Sequence, residues 1–400
     1  IFAGEIGSYA TYDTNGRPIT DPTTQFAPID PISGEARPGG SQGFPGYSPA
    51  NEVDQSRSNL SLYTDAEFDI TESFLVSAAA RFENYSDFGS TLNGKLSARL
   101  KATKNINFRG SVSTGFRAPS LAQIYYNLRF TNFSSSGASE ILLSPNNSPV
   151  TQAFGIEQLN EEKAVNGSLG MTATFGDFTA TIDGYMINVK DRIVLTGYFD
   201  ASSFNLGVDE AQFFVNGVDT ETTGLDVVLS WKKKFDDNSF GATLVGNINN
   251  MEIAEVKNGD LDKEIFFGER EKAFLLASAP ESKFGLNLTY DRKWFNAGLS
   301  FTHFSEVKLL DYQMYEDVAD YGSFANQIAA ATDTYSSKMV TDLTLGFKLS
   351  KSLKLSVGGN NIFNIYPDQQ DDWVEAGGYW DAVQMGFGGA YYYARLGFNF

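Results

Sequence analysis

Aromatic side chains are concentrated in the segments that separate the periodic stretches of this 400-residue chain. Aromatic rings with guanidinium or amide groups beside them can bind sugar faces, catechol groups and peptide side chains. We place a candidate ligand site in the last two large loops, on Tyr312, Tyr315, Trp373, Tyr379 and Trp380. The residues leave one alternative open, which is that these rings only pack one loop against another.

Residues for catalysis or metal binding are scarce. His303 is the single histidine and there is no cysteine, so a Ser-His-Asp or Cys-His site is hard to assemble. A metal site with two histidines is impossible within this chain. Acidic clusters at 258–264 and 368–372 do not have EF-hand spacing, and we interpret them as solvated loop charge. We therefore expect no enzyme activity, no cofactor and no metal site.

The charge balance is strongly acidic, with 49 Asp and Glu against 30 Lys and Arg, a formal net charge of −19. A protein that binds nucleic acid needs a basic stripe to neutralise phosphates, and the sequence contains none. We expect no nucleic-acid partner.

The elements that must position the aromatic loops are β-strands. Strand-like segments recur, and the connections between them alternate between short and long. Short connections lie near residues 71, 104, 176, 237, 291 and 351, and long ones at 13–56, 116–160, 196–217, 253–280, 307–336 and 364–388. The connection near residue 88 is the one exception, because it is short at a position where the alternation predicts a long one. Compact soluble domains rarely contain so many long loops.

This alternation predicts an all-β fold, a transmembrane antiparallel β-barrel of about 14 strands with long extracellular loops and short periplasmic turns. No run of about 18 apolar residues is present, so strands rather than a helix would cross the bilayer. The excess of aromatic residues, 33 Phe and 19 Tyr, suits girdles at both membrane interfaces. We expect outer-membrane lipid to contact one face.

Alternation of apolar and polar residues within the strands supports this interpretation. Between 340 and 349, Leu343, Leu345 and Phe347 alternate with Asp342 and Thr344. The apolar set would face lipid and the polar set a wet lumen. The same alternation would face a core in a soluble sandwich, so the loops and the chain end decide between the two. His303 continues the outward register of its strand, which places it near the membrane interface.

The last strand ends on an aromatic residue, with Tyr392, Leu396, Phe398 and Phe400 on one face. A terminal Phe after alternating apolar residues resembles the sorting signal of bacterial outer-membrane barrels, and we interpret these four as the barrel-assembly signal. The alternative is the buried last strand of a soluble sandwich. If the strand ends in the periplasm, every long loop is extracellular.

Helical pattern is sparse. Residues 269–279 are followed by Pro280 and are predicted to form a short loop helix, and residues 323–331 a second one. We expect Arg117 to form a structural ion pair with a carboxylate, substrate binding being the alternative. Asn360, Asn361 and Asn364 are predicted to cap a loop through hydrogen bonds.

Five stretches resemble the TonB-dependent outer-membrane receptors. They are SVSTGFRAPSLAQIYY at 111–126, QLNEEKAVNGSLG at 158–170, FFVNGVDTETTGLDVVLSW at 213–231, LSVGGNNIFNIYPD at 355–368 and the terminal ARLGFNF. They fall in the order seen in that family and cover most of the chain from about residue 56 onward. Residues 13–55 match nothing in it.

The resemblance implies a 22-stranded barrel with a globular plug inside it. A carboxylate of that plug would then be the expected partner of Arg117. Residues 1–400 would then be the C-terminal part of the barrel, with the plug and about eight strands lying upstream. The implied partners are outer-membrane lipid, a nutrient, the protein's own plug, the inner-membrane TonB complex through the N-terminal part, and possibly a surface lipoprotein. The implied location is the bacterial outer membrane.

The function that follows is energised import of a scarce nutrient, such as a ferric siderophore, glycan or peptide, captured by extracellular loops. The sequence leaves two alternative functions open. One is a passive porin-like channel, and the other is the barrel subunit of a surface binding assembly.

Overall fold

A large antiparallel sheet dominates the computed structural model, which describes residues 51–134, 137–204, 208–369 and 384–399. The first strands are β1 Asn59–Thr71, β2 Phe74–Tyr85, β3 Gly89–Lys101, β4 Ile106–Arg117, β5 Leu128–Ser134, β6 Gly137–Leu143, β7 Glu162–Phe175, β8 Phe178–Leu195, β9 Phe199–Asp200 and β10 Glu210–Gln212. The later strands are β11 Phe214–Phe235, β12 Asn238–Val256, β13 Ser282–Arg292, β14 Phe295–Phe304, β15 Val307–Leu310, β16 Thr332–Tyr335, β17 Lys338–Lys348, β18 Leu353–Asn360 and β19 Tyr391–Phe398.

Thirteen of these strands form one sheet in the order β1-β2-β3-β4-β7-β8-β11-β12-β13-β14-β17-β18-β19. Neighbours in the sheet are neighbours in sequence once the short loop strands are set aside. Every pair in this sheet is antiparallel, as the β1–β2, β7–β8 and β18–β19 registers illustrate. The predicted all-β antiparallel barrel architecture is confirmed, although in the described residues the sheet is not closed. The fourteenth predicted strand falls at the start of the chain, outside the described residues.

The connections confirm the predicted alternation. At one edge of the sheet they are tight, such as residues 176–177, 236–237 and 293–294; we call this the turn edge. At the other, the loop edge, residues 118–161, 196–213, 257–281, 305–337 and 361–390 join strands of the large sheet. The connection at 86–88 is the short one at the loop edge, as the sequence indicates.

The loops contain more regular structure than the sequence suggests. A four-stranded sheet of order β5-β6-β10-β9 and a two-stranded sheet of β15 and β16 lie within them. The helices are α1 Leu121–Tyr125, α2 Pro149–Ala153, α3 Lys263–Phe267, α4 Glu269–Ala277, α5 Val318–Tyr321 and α6 Phe324–Ala331. Helices α4 and α6 confirm both predicted loop helices. In the described ranges, no helix has the length and apolar character to span a membrane.

The large sheet has one apolar and one polar face, as period-two alternation requires. On the apolar face, Leu169 of β7 lies between Gly110 and Gly184 of the adjacent strands, and 71 % of its side chain is exposed. The polar face holds Ser111, Ser168 and other hydroxyl, amide and charged groups. His303 lies on the apolar face opposite Phe284 and Met339, which confirms its outward register. An apolar face this exposed needs a nonaqueous neighbour, which lipid supplies.

Aromatic residues line the turn edge of the apolar face. Trp231 and Phe240 have ring centroids 5.7 Å apart, and Phe295 and Phe347 lie 5.2 Å apart. At the loop edge, Phe284 lies 6.4 Å from the His303 ring. Aromatic rings at the edges of an apolar face are expected where barrel strands meet the membrane interfaces.

Candidate functional site

Three long loops fold together into a cap at the loop edge. Strand β6 of the first loop pairs in parallel with β10 of the second, with Ile141 opposite Glu210. The third loop joins them through Gly197, whose N–H donates to the Ile265 carbonyl at 3.0 Å. Strands β8, β11 and β12 have 18, 22 and 19 residues, whereas about 10 are enough to cross a bilayer. They therefore extend beyond the membrane and support the cap.

A hydrophobic core holds the cap together. Its buried members are Leu142, Val150, Ile156, Val194, Phe199, Ala201, Val208, Ala211, Phe213, Val215, Val218, Phe266 and Phe267. Phe213 is fully buried at its centre, with ring centroids 5.2 Å from Phe154 and 5.9 Å from Phe199. For the buried loop aromatics, packing of one loop on another is therefore the correct interpretation. A cap with its own core is preformed rather than assembled around a ligand.

Ion pairs stabilise the base of the cap, where the pairing of β11 with β8 and with β12 becomes irregular. The Lys257 ammonium lies 2.7 Å from Asp191 and 2.6 Å from Asp219. Asp191 has a left-handed backbone with φ of 57°, and its carbonyl accepts from Asn216 at 2.7 Å. Burial lowers the pKa of Lys257, but the two carboxylates outweigh it and the net shift is upward. The lysine stays charged and joins the ends of three strands.

The last two long loops, which contain the predicted ligand residues, are tied to one another. Asp368 forms an ion pair with Lys338 and accepts from the Ser336 N–H at 2.7 Å. Gln384 donates to the carbonyls of Ser305 at 2.6 Å and Ser336 at 2.9 Å. The two contacts hold Asp368 and Gln384 of the last loop against the preceding loop.

The predicted site residues divide between these two loops. Tyr312 and Tyr315 lie in a short 3-10 helix, Tyr312–Tyr315, whose position is fixed by Gln327 of α6 donating to the Gln313 carbonyl at 2.8 Å. Trp373, Tyr379 and Trp380 lie outside the described residues. The structure brings the two loops together, and the ligand role of the five residues stays a prediction.

Two titratable groups in these loops have shifted pKa values. Burial raises the pKa of Asp368, but the Lys338 ion pair and the Ser336 hydrogen bonds outweigh it, and its net pKa lies below the ordinary value. Because its folded pKa is depressed, the tie stabilises the loops above the unfolded aspartate pKa and is lost as the pH falls through the folded pKa. The Tyr321 hydroxyl donates to Glu316, which raises the pKa of Tyr321 to about 12.

A cavity of about 480 Å³ opens beside the cap core, between the outer end of β8 and helix α4. Its lining combines aromatic and polar groups, including Thr196, Tyr198, Gln212, Phe267, Arg270 and Phe274. The Arg270 guanidinium lies 4.6 Å from the centroid of the Phe274 ring. Sequence reasoning missed this cavity because its walls come from two loops that the sequence does not show to be adjacent.

Arg117 finds its partner inside the sheet. Its Nε donates to Glu162 on the neighbouring strand β7 at 2.8 Å, and the two residues are directly paired in register. Glu162 is buried and also accepts from the Ile193 N–H at 2.7 Å. The expectation of a structural ion pair is therefore confirmed, but the partner is the barrel's own carboxylate rather than one from a plug. The spacing of residues in the sequence could not show this pairing, because the register between β4 and β7 is fixed only when the sheet forms.

Two of the three predicted loop-capping asparagines, Asn361 and Asn364, make hydrogen bonds of the predicted kind. Asn361 and Asn364 have positive φ values of 49° and 56°. The Asn361 side chain accepts from the Ile365 N–H at 2.8 Å, and Asn364 accepts from the Ala390 N–H at 2.9 Å. Asn360 is the last residue of β18. These contacts fix the start of the last loop to its end.

The polar face has a charged row across its centre. Arg109 of β4 donates through Nε to Asp183 of β8 at 2.8 Å, reaching across Gly170 of the strand between them. A Cβ at Gly170 would collide with the Asp183 carboxylate. On the next strand, Asp226 accepts from Asn247 at 2.8 Å. The glycine is what lets the ion pair form over the strand.

Gly170→Ala should break this contact. The added methyl displaces the Asp183 carboxylate, and an overpacked site of this kind costs about 1–3 kcal/mol. We expect the temperature at which the folded barrel loses its compact mobility in SDS gels to fall by several degrees. Gly167→Ala on the same strand is the control, because a Cβ there meets nothing within 4 Å. Equal midpoints for the two variants would contradict the assignment.

No cluster of three or more His, Asp or Glu side chains with metal-site geometry occurs among the residues that the structure describes.

The terminal strand presents its predicted face outward. Tyr392, Leu396 and Phe398 share the apolar face of β19, with 64 %, 53 % and 60 % of their side chains exposed. They pair with Gly359, Leu355 and Leu353 of β18. Phe400 lies outside the described residues. The register agrees with the sequence, and the assembly role of these residues stays a prediction.

Comparison with known proteins identifies this architecture. The family model for the TonB dependent receptor-like β-barrel matches residues 2–362. No curated protein gives a significant sequence match. Among solved structures, the siderophore receptor PirA from Acinetobacter baumannii is 19 % identical with a TM-score of 0.57, over 88 % of this chain and 47 % of that one.

Two other solved structures are similar in fold. A mutant of the ferric enterobactin receptor PfeA from Pseudomonas aeruginosa is 16 % identical with a TM-score of 0.58, over 90 % of this chain and 47 % of its own. The copper transporter OprC is 14 % identical with a TM-score of 0.53, over 86 % and 48 %. The chain thus spans about half the length of these relatives. With a family match over nearly all of its length, the chain belongs to the β-barrel family of TonB-dependent receptors, proteins of the bacterial outer membrane.

Proposed function

We propose that this chain is the barrel part of an outer-membrane receptor that captures a scarce nutrient at the cell surface and imports it at the expense of inner-membrane energy. The observation that carries the proposal is the preformed cap, in which three long loops share one buried core at the loop edge. A passive channel needs an open mouth, whereas a receptor needs a rigid surface for binding. The two tied loops beside the cap extend that surface.

The partners follow from the same proposal. The polar face would contact a plug domain of the same protein, and the plug would couple the barrel to the inner-membrane TonB complex. The apolar face would contact outer-membrane lipid. Residues 1–400 would form barrel throughout, and a surface lipoprotein could cover the loop edge. Tyr392, Leu396, Phe398 and Phe400 would provide the barrel-assembly signal.

The nutrient class is best tested by growth. A strain deleted for the full-length protein would be grown on a panel of single ferric siderophores as iron source, and separately on glycans and peptides as carbon source. Because PirA and PfeA are siderophore receptors, we propose a ferric siderophore first. A growth defect on one compound, restored by the gene, identifies the nutrient; unchanged growth on the whole panel contradicts nutrient import.

The predicted ligand residues provide a finer test. Single Tyr312→Ala, Tyr315→Ala and Trp380→Ala variants should each weaken binding of the selected compound by about tenfold or more, since truncating a central aromatic anchor costs about 2 kcal/mol. Titration of the purified full-length protein measures this. Trp294→Ala is the matched control, because Trp294 lies in a turn at the opposite edge. Affinities equal to that of the control would place the ligand elsewhere.

A further inference from the structure

The negative charge of the chain is concentrated in the long loops at the loop edge. Together these loops contain 23 Asp and Glu against 6 Lys and Arg, counted over residues 118–161, 196–213, 257–281, 305–337 and 361–390. Their net charge is therefore −17, out of −19 for the whole chain. A surface with one sign of charge attracts ligands of the opposite sign and repels those of its own. The loop edge therefore favours a positively charged ligand.

One stretch of these loops lacks basic residues altogether. Between positions 309 and 337 the sequence contains five Asp or Glu and no Lys or Arg. The lysines on either side are engaged elsewhere, because Lys308 pairs with Glu306 at 3.8 Å and Lys338 pairs with Asp368. Neither lysine forms an ion pair with the acids between them.

Three carboxylates lie close together in this stretch, in residues 311–320, which we call the acidic turn. Glu316, Asp317 and Asp320 form no ion pair within the part of the chain that the structure describes, and the two aspartates are exposed. Asp317 accepts from the Ala319 N–H at 2.9 Å, and Glu316 accepts from the Tyr321 hydroxyl. These hydrogen bonds fix the carboxylates in place but do not neutralise them.

Two buried oxygen atoms under the acidic turn have no hydrogen-bond partner among the described residues. They are Oε1 of Gln327, a residue that is 1 % exposed, and Oε1 of Gln313. The Gln327 amide is held against the turn, because its Nε2 donates to the carbonyls of Gln313 at 2.8 Å and Glu316 at 2.9 Å. A buried acceptor without a donor costs free energy. Both atoms would therefore be stabilised by a ligand that brings N–H donors.

We propose that the acidic turn binds a positively charged group of the imported nutrient, an ammonium or a guanidinium. The assignment rests on the proposed function, whose nutrient it narrows to a cationic one. Such a group supplies several N–H donors together with its charge, as both the carboxylates and the buried acceptors require. Tyr312 and Tyr315 of the predicted ligand site belong to the same turn, and tyrosine rings attract organic cations. For a ferric siderophore, the prediction is a complex with a free amine.

The charge preference can be measured with three ferric trihydroxamate complexes that share one chelating core. The first ends in a free amine, the second in the acetylated amine and the third in the succinylated amine, so they are positive, neutral and negative at that end at neutral pH. Titrated into the purified full-length protein at low salt, the amine form should bind about tenfold more tightly than the succinylated form. The preference should shrink as the salt concentration rises. Equal affinities, the reverse order, or no binding of any of the three would overturn the proposal.

Neutralising the acidic turn should remove the preference. The triple variant Glu316→Gln, Asp317→Asn and Asp320→Asn keeps the shapes and hydrogen-bond acceptors of these side chains while it removes their charge. The control removes the same number of charges in turns at the opposite edge of the sheet, with Glu72→Gln, Asp177→Asn and Asp237→Asn. A preference that is kept in the triple variant, or lost equally in the control, would place the cation elsewhere.

Charge reversal separates this effect from a loss of loop structure. The double variant Asp317→Lys with Asp320→Lys should bind the succinylated complex more tightly than the amine complex, an inversion that a misfolded loop cannot produce. Loss of binding of all three complexes in the double variant, together with an unchanged preference in the triple variant, would overturn the proposal.

The outcome is separable from that of the proposed function. If uptake proves not to depend on inner-membrane energy but the amine complex is still preferred, the cation site stands and the transport mechanism falls. If uptake is energised and the three complexes bind equally, the cation site falls alone.

Discussion

Phe213→Ala should abolish ligand capture while leaving the barrel folded. The Phe213 side chain is fully buried and contacts the rings of Phe154 and Phe199. Truncating a buried phenylalanine costs about 3–5 kcal/mol, which is comparable to the whole stability of a small substructure held by one core. The cap would lose its fixed arrangement, and with it the loop surface that we propose binds the nutrient.

Hydrogen exchange is the direct measurement of this effect. Amides of β9, β10 and α3 should lose protection in Phe213→Ala, while those of β13 and β14 keep theirs. Phe363→Ala is the control, since 67 % of that side chain is exposed. Wild-type protection of the cap in Phe213→Ala, together with wild-type ligand affinity, would show that the cap does not depend on this core.

Leu169→Arg should prevent assembly of the barrel in the membrane. Leu169 lies near the middle of β7 on the apolar face, beside Gly110 and Gly184 of its neighbours. An arginine on the lipid face near the bilayer midplane costs about 2–4 kcal/mol. We expect at least a tenfold loss of folded protein in outer-membrane fractions, measured by the heat-dependent mobility shift in SDS gels.

Thr172→Arg separates lipid exposure from the effect of a larger side chain. Thr172 lies on the polar face of the same strand, where the arginine would enter the lumen side. Near-normal folded yield is expected for this control. If the two variants assemble equally well, or if Thr172→Arg is the worse one, the assignment of the two faces is wrong.

The fold could be predicted from the sequence because its signals are local. Alternation such as Leu343, Leu345 and Phe347 against Asp342 and Thr344 depends only on period two, and the observed register keeps these residues on opposite faces. Turns such as residues 176–177 depend on residues within them. The positions of loop helices α4 and α6 were readable for the same reason.

The candidate site could be predicted less well from the sequence, because its contacts join segments that are far apart in the chain. The parallel pairing of Ile141 with Glu210 links two loops that no short motif connects. The ion pair of Asp368 with Lys338 spans 30 residues, and that of Arg117 with Glu162 spans 45. Loop strands as short as β9 and β10 have no periodicity to detect. The detailed arrangement of the candidate binding site therefore depends on tertiary packing, which the sequence does not reveal.

The central claim is that the complete receptor imports its nutrient with energy from the inner membrane. The most direct measurement is uptake of radioactive iron carried by the ferric siderophore that the growth panel selects, in cells producing the full-length protein, before and after a protonophore collapses the inner-membrane potential. We predict that accumulation falls to the level of the deletion strain while binding at the cell surface is kept. Accumulation that continues after de-energisation would contradict the claim and indicate a passive channel.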